Sequence, residues 1–167
     1  ERYVIPKGKV IVDQDGVGGG VVKLGGYIGF SGNDPALIDN SIKTKENYKN
    51  RKTQFYYRLA DRVNNDEVSL PLSNENVVID GVFGVKMKLG GKVVDVRELI
   101  KQDLRAIKKK DKDAEGKKQI NSKEEQKTLL RGRSPDFGDG LSLRVHFDFN
   151  SGQIATGQPT KSILDRI

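Results

Sequence analysis

The sequence predicts an α/β fold, and three observations carry that expectation. Val10, Ile11 and Val12 form a compact β-branched run that ends in Asp13 and a glycine-rich turn, the pattern of a buried strand feeding a helix. Tyr48, Phe55, Leu59 and Val63 recur on one face at helical spacing, with Lys49, Lys52 and Asp61 left for solvent. Ser134, Pro135 and Asp136 have the form of a helix start, with a hydroxyl cap, a proline at the first helical position and an early acid. Strands mixed with helices over 167 residues, with no repeat and no internal linker, fit one domain. That domain is expected over residues 1–150. Residues 151–167, rich in Gly, Gln, Thr and Ser, are expected to form a C-terminal tail.

The elements follow in order. After the strand at Val10–Val12 and its glycine turn, a short helix is expected, then a second strand at Tyr27–Phe30. Gly32 to Pro35 signals a loop. A helix is expected from about Glu46 to Val63, closed by Asn64 and Asn65, and a short extended piece at Val68–Leu72. Val77–Ile79, Phe83–Leu89 and Val93–Val94 read as strands joined by turns at Gly81, Gly84, Gly90 and Gly91. A short helix is expected at Val96–Leu104. Ala106–Lys110 and Lys117–Asn121 pair as a hairpin across a charged turn. Ser122, with Glu125 three residues on, is a capping box that opens a helix to Leu130. The last helix runs from Ser134 to about His146.

Composition removes several function classes. No apolar run approaches the roughly 18 residues of a membrane span, and Glu1–Lys7 is not a signal peptide. Zero Cys excludes disulfide scaffolds, thiolate zinc sites and cysteine nucleophiles. A single His, His146, argues against His-rich metal sites and a Ser–His–Asp triad. Chemistry must therefore run on carboxylates, hydroxyls, Lys or Arg. The net charge of +7 points to an anionic partner, nucleic acid first. The excess is local: residues 101–133 are net +6, whereas 1–100 are net +2 and 134–167 net −1. The tip at Asp111–Gly116 reads as a solvated turn, and its basic flanks are placed to face a phosphate backbone.

The carboxylates are the informative side chains. Asp13 follows a strand at the position where open α/β sheets bind ligands, so it is a candidate metal or substrate ligand as well as a candidate helix cap or turn former. Asp15 is a second-choice ligand. Asp136 and Asp139 lie three apart on one helix side and repel each other unless a cation intervenes, although Asp136 also suits a plain helix-start acid. Hard divalent ions such as Mg²⁺ or Mn²⁺ prefer this oxygen-donor chemistry. A pair of such ions activates water and stabilises the leaving oxygen in phosphodiester cleavage. Gly16 to Gly20 lacks the lysine and hydroxyl of a P-loop and the spacing of a dinucleotide fingerprint, so tight packing of the turn explains it better.

Five segments in order, over about residues 9–147, together resemble the C-terminal nuclease domain of bacteriophage terminase large subunits. They are the strand and glycine run Val10–Val22, the aromatic helix opening Asn50-Arg51-Lys52, the short strand Val68–Pro71, the helix start Ser122-Lys123-Glu124, and the closing motif Ser134-Pro135-Asp136 with Asp139 and Leu141. The resemblance implies a ribonuclease-H-like mixed sheet flanked by helices, and a metal-dependent endonuclease that cuts concatemeric viral double-stranded DNA during genome packaging. It implies Mg²⁺ or Mn²⁺ in a two-metal site. Asp13 and Asp139 match the family's acids, with Asp136 beside the second. Lys123 matches a family lysine, and Lys127, Arg131 and Arg133 in the same basic flank are the expected DNA contacts. For Asn50 and Arg51 structural bonding is expected. Implied partners are the viral portal, the small terminase subunit and the terminase ATPase domain, in the host bacterial cytoplasm and without a membrane.

The departures are also specific. The family's domain carries an essential Asp on a strand ahead of the Asp13 motif, and an ATPase before that. The sequence is therefore expected to lack the domain's N-terminal strands, leaving an open sheet edge. Lys23 replaces an acid, Gly140 replaces an alanine, and Val77–Val94 reads as a hairpin insertion. Two other functions remain open on the sequence: another ribonuclease-H-like nuclease, such as a junction resolvase, and a non-catalytic DNA-binding or docking fragment.

Overall fold

The computed structural model describes residues 4–15, 18–38, 47–70, 78–79, 82–83, 86–89 and 92–149. The expected tail at 151–167 lies outside them, as do Gly16, Val17 and the hairpin glycines.

The α/β expectation holds. Strand β1 (Ile11–Asp13) pairs in parallel with β2 (Ile28–Phe30), in the register Ile11↔Ile28, Val12↔Gly29 and Asp13↔Phe30. Parallel pairing needs a crossover, and helix α1 (Gly18–Gly25) supplies it. A Cβ at Gly18 would run into the Asp13 carbonyl, so the tight strand-to-helix turn requires glycine there. Within the run, Gly18 is the glycine that tight packing of the turn requires.

Helix α2 (Arg51–Asn64) starts later than the hydrophobic spacing predicts. Asn50 is extended, and its side chain accepts the Thr53 N–H at 2.9 Å, which fixes the helix start. Tyr48 instead forms an isolated parallel bridge with Lys118. Phe55 and Leu59 are buried as expected, but Val63, in the last turn, is 44% exposed.

The next strands pair two by two. β3 (Val78–Ile79) meets β4 (Val82–Phe83), and β5 (Lys86–Leu89) meets β6 (Lys92–Asp95), both antiparallel. Of the strand expected over Phe83–Leu89, Phe83 ends β4 and 86–89 form β5, and 84–85 lie outside the described residues. In the expected extended piece Val68–Leu72, residues 68–70 belong to no regular element and 71–72 lie outside the described residues. Asp95 caps helix α3 (Val96–Ala106) through the Arg97 N–H at 2.8 Å. The predicted basic hairpin is present as β7 (Lys109–Lys110) and β8 (Gln119–Ile120). The capping box of helix α4 (Lys123–Leu129) has both reciprocal bonds, Ser122 N–H to Glu125 Oε2 at 2.6 Å and Glu125 N–H to Ser122 Oγ at 3.2 Å.

The last predicted helix is two pieces, α5 (Asp136–Leu143) and α6 (His146–Phe149). Ser134 is not the cap. Pro135 occupies that position without a side-chain bond, and N–H groups in the first turn of α5, which lack a partner within the helix, are met from another helix. Phe30, Phe55, Tyr56, Leu59 and Val145 form the main core. Val96 and Ile100 form a second cluster, with Phe137 and Leu141 packed on it, and this cluster seats α5 against α3. Among the described residues no helix is long and apolar enough to cross a membrane.

Candidate functional site

A cleft of about 670 Å³ opens between the end of β1, the start of α2, the start of α4 and α5. Its charged lining is Asp13, Asp15, Asp136 and Asp139, with Lys49, Lys52 and Lys123. The fold thus brings the two acidic motifs, more than 120 residues apart in sequence, to one cavity with lysines beside them.

Asp13 is exposed at the carboxyl end of β1. Its Oδ1 accepts the Asp15 N–H at 3.0 Å, a local turn that orients the side chain. Asp15 Oδ2 accepts the Gly32 N–H at 3.3 Å, which ties this turn to the loop after β2. Of the alternative roles of Asp13, its bond to the Asp15 N–H shows a turn former.

Asp139 is held differently. Its Oδ1 accepts the Tyr56 hydroxyl at 2.6 Å and faces the Lys52 ammonium at 2.8 Å. Lys52 and Tyr56 are four apart on α2, so they project from the same helix face. The ammonium also lies 5.8 Å from the Tyr56 ring centroid. Burial first, and then the Asp139 charge, push the Tyr56 phenol far above its ordinary range. It stays protonated and remains a donor.

Helix α5 itself is anchored by Asp103 of α3. Asp103 is completely buried, and its Oδ2 accepts the Phe137 N–H at 3.0 Å and the Gly138 N–H at 3.1 Å. Its Oδ1 is 2.6 Å from Arg133 Nη2, in an ion pair that compensates the buried charge. A Cβ at position 138 would come within 3.1 Å of the Asp103 Cβ and 3.4 Å of the Tyr56 hydroxyl, so the close approach depends on Gly138.

The remaining expected site residues are dispersed. Lys123 lines the cleft at the first position of α4. Lys127 is in the last turn of α4, half-buried, and Arg131 is exposed in a left-handed conformation with φ 56°. Arg133 turns inward, with its Nη1 donating to Ser134 O at 3.2 Å in addition to its pair with Asp103. Asn50 caps α2, and Arg51 pairs with Asp34 at 3.0 Å.

Sequence reasoning missed four participants: Lys49, Lys52, Tyr56 and Asp103. Asp103 had a signal, because it falls on the apolar stripe of α3 with Leu99, Ile100 and Ala106. Lys49 donates to Gln119 Oε1 at 3.4 Å, linking the cleft to the basic hairpin. That hairpin lies on tyrosines. The Lys118 ammonium is 5.2 Å from the Tyr48 ring and 5.4 Å from the Tyr57 ring, and the Lys109 ammonium is 5.4 Å from Tyr57.

The donor chemistry fits a hard divalent cation, since four carboxylates line the cleft and no thiolate or imidazole competes there. The Lys52 ammonium already shows that Asp139 attracts a cation. Among the described residues, however, no three acidic or imidazole side chains stand together as a preformed cage.

No protein-family model matches the chain, and no curated protein matches it. Solved structures do. The nuclease domain of the large terminase subunit of bacterial virus Sf6 superposes with a TM-score of 0.55 at 23% identity, over 81% of this chain and 64% of that one. A lysine-to-alanine mutant of that domain with manganese gives 0.54 at 22% identity over 81% and 64%. The mutant with calcium gives 0.55 at 22% over 81% and 63%. The chain therefore shares the mixed α/β fold of those domains. It spans about 64% of their length.

Proposed function

We propose that this chain is part of a terminase-type nuclease domain, a metal-dependent endonuclease that cuts concatemeric viral double-stranded DNA during genome packaging. The supporting observation is the meeting of Asp13 from β1 with Asp136 and Asp139 from α5 in one lysine-bordered cleft, on a fold shared with terminase nuclease domains. Asp13, Asp136 and Asp139 would hold Mg²⁺ or Mn²⁺ in a two-metal site. The bound ions would supply the charge that activates water and stabilises the leaving oxygen.

The chain's own residues do the rest. Tyr56 and Lys52 orient and neutralise Asp139. Asp103 fixes the start of α5, and with it the spacing of both α5 acids. Lys123 at the cleft, Lys127 and Arg131 beyond it, and the hairpin lysines Lys109 and Lys118 offer cations to a duplex backbone without reading sequence. The proposed partners are double-stranded DNA and the packaging assembly, namely the portal, the small subunit and the ATPase domain.

Nicking of supercoiled plasmid with Mn²⁺ tests the proposal. An intact version of this protein should nick, and Asp139→Asn in it should lower the rate at least a hundredfold. Undiminished cleavage by Asp139→Asn would overturn the catalytic assignment. One observation favours a second function, a docking fragment that binds duplex without cutting: Asp139 already carries an ammonium partner. DNA binding that weakens steeply with salt, with no cleavage in Mn²⁺, would select it.

A further inference from the structure

Two donors converge on one oxygen of Asp139, and they differ in kind. Tyr56 is 4% exposed, is neutral, and belongs to the main core. Its hydroxyl is fixed by the ring, which cannot leave without opening the core. Lys52 carries a full charge on a flexible stem, and its side chain is 25% exposed within the cleft. It can retract into solvent at the small cost typical of a partly exposed ion pair. The neutral donor is permanent and the charged one is exchangeable.

We infer that Lys52 is a resident counter-cation, competing with divalent metal for Asp139, while Tyr56 is the positioning residue that keeps the carboxylate aimed as the two cations exchange. The inference rests on the metal-dependent function proposed above. Without metal, Lys52 neutralises Asp139 and lessens its repulsion from Asp136, which lies on the same helix side. With metal, that neutralisation is redundant, and two cations beside one carboxylate oppose each other. Lys52 therefore lowers metal affinity and stabilises the empty site. Tyr56 adds no charge and only restricts the carboxylate, so it raises metal affinity.

The two residues then predict opposite signs, which a merely structural role does not produce. Mn²⁺ titration by calorimetry, with Mn²⁺ alone as ligand, reads them directly. Lys52→Met keeps most of the stem and should tighten Mn²⁺ binding about threefold to tenfold. Lys52→Arg keeps the charge and should restore affinity close to that of the unaltered chain. Tyr56→Phe keeps the ring and should weaken binding by a similar factor. Metal-free melting should show Lys52→Met less stable than the unaltered chain, with a larger upward shift on adding Mn²⁺. Weaker or unchanged Mn²⁺ binding by a folded Lys52→Met protein overturns the inference while leaving the metal site standing. Mn²⁺ bound by neither the unaltered chain nor Lys52→Met overturns both.

Discussion

The two halves of the cleft are built to different standards. On the α2–α3–α5 side, Phe55 and Asp103 are fully buried and Val145 is 2% exposed. Asp139 there receives two donors, and its helix is pinned by a buried carboxylate. On the β1–α1–β2 side, α1 has no buried residue, Leu24 is 90% exposed and Val21 51%. Asp13 there rests on a ladder of three residue pairs and one local turn. Val4, Ile5 and Ile38 add further exposed apolar surface. One acid sits on a helix pinned by a buried carboxylate, and the other ends a short strand whose hold on the core runs through Ile11 and its neighbour Phe30. The relative position of the two acids, on which a shared metal depends, is thus set by the weaker half.

The largest expected effect tests this contrast directly. Phe55→Ala removes a fully buried ring that stacks 5.8 Å from Phe149 and lies 5.1 Å from Phe30, and should cost about 3–5 kcal/mol in urea unfolding. Leu24→Ser should change stability by no more than about 0.5 kcal/mol, because the side chain is already in solvent. A loss above about 1 kcal/mol for Leu24→Ser would show that the α1 face is covered in solution, and the contrast would fail.

Asp103→Asn should come next. The amide still accepts from the α5 N–H groups, but the Arg133 charge is left without its partner. Arg133 keeps one-fifth of its side chain exposed, so the cost should sit below that of a fully buried pair, at about 2–3 kcal/mol. Adding Arg133→Met should recover most of that loss. If Asp103→Asn is neutral in urea unfolding, Asp103 acts only as a cap and the ion pair contributes nothing to the rigidity of α5.

What the sequence made legible divides along the same physical line. The Ser122–Glu125 capping box, the basic hairpin and the strand ending at Asp13 were readable because each depends on residues close in the chain. The helix expected from Glu46 begins instead after Asn50, since an apolar stripe does not show where a side-chain cap interrupts it. Ser134 looked like the cap of α5, but the bond comes from Asp103, 35 residues before Gly138. The hold on Asp139 comes from Tyr56, 83 residues away. Spacing could nominate the acids, but only tertiary packing brings Lys52 and Tyr56 to one of them.

The smallest expected effect uses the single histidine as a probe of the packed half. His146 opens α6, its ring 6.4 Å from that of Phe55. Burial first, and the Arg51 charge second, lower its pKa from the ordinary 6.5. The folded state therefore resists protonation more than the unfolded chain does. Its contribution is fully present above pH 6.5 and is lost as pH falls through the lowered folded value. Asp148 has the opposite sign. Burial raises its carboxyl above the usual value, against the opposing charges of Arg62 and Arg144, so its contribution is gained at lower pH as the carboxyl protonates. Melting temperature followed from pH 7.5 to 5 should fall, and His146→Gln should make that slope shallower. A slope unchanged in His146→Gln would mean that the ring is as hydrated as in the unfolded chain, so the packing around Phe55 would end short of α6.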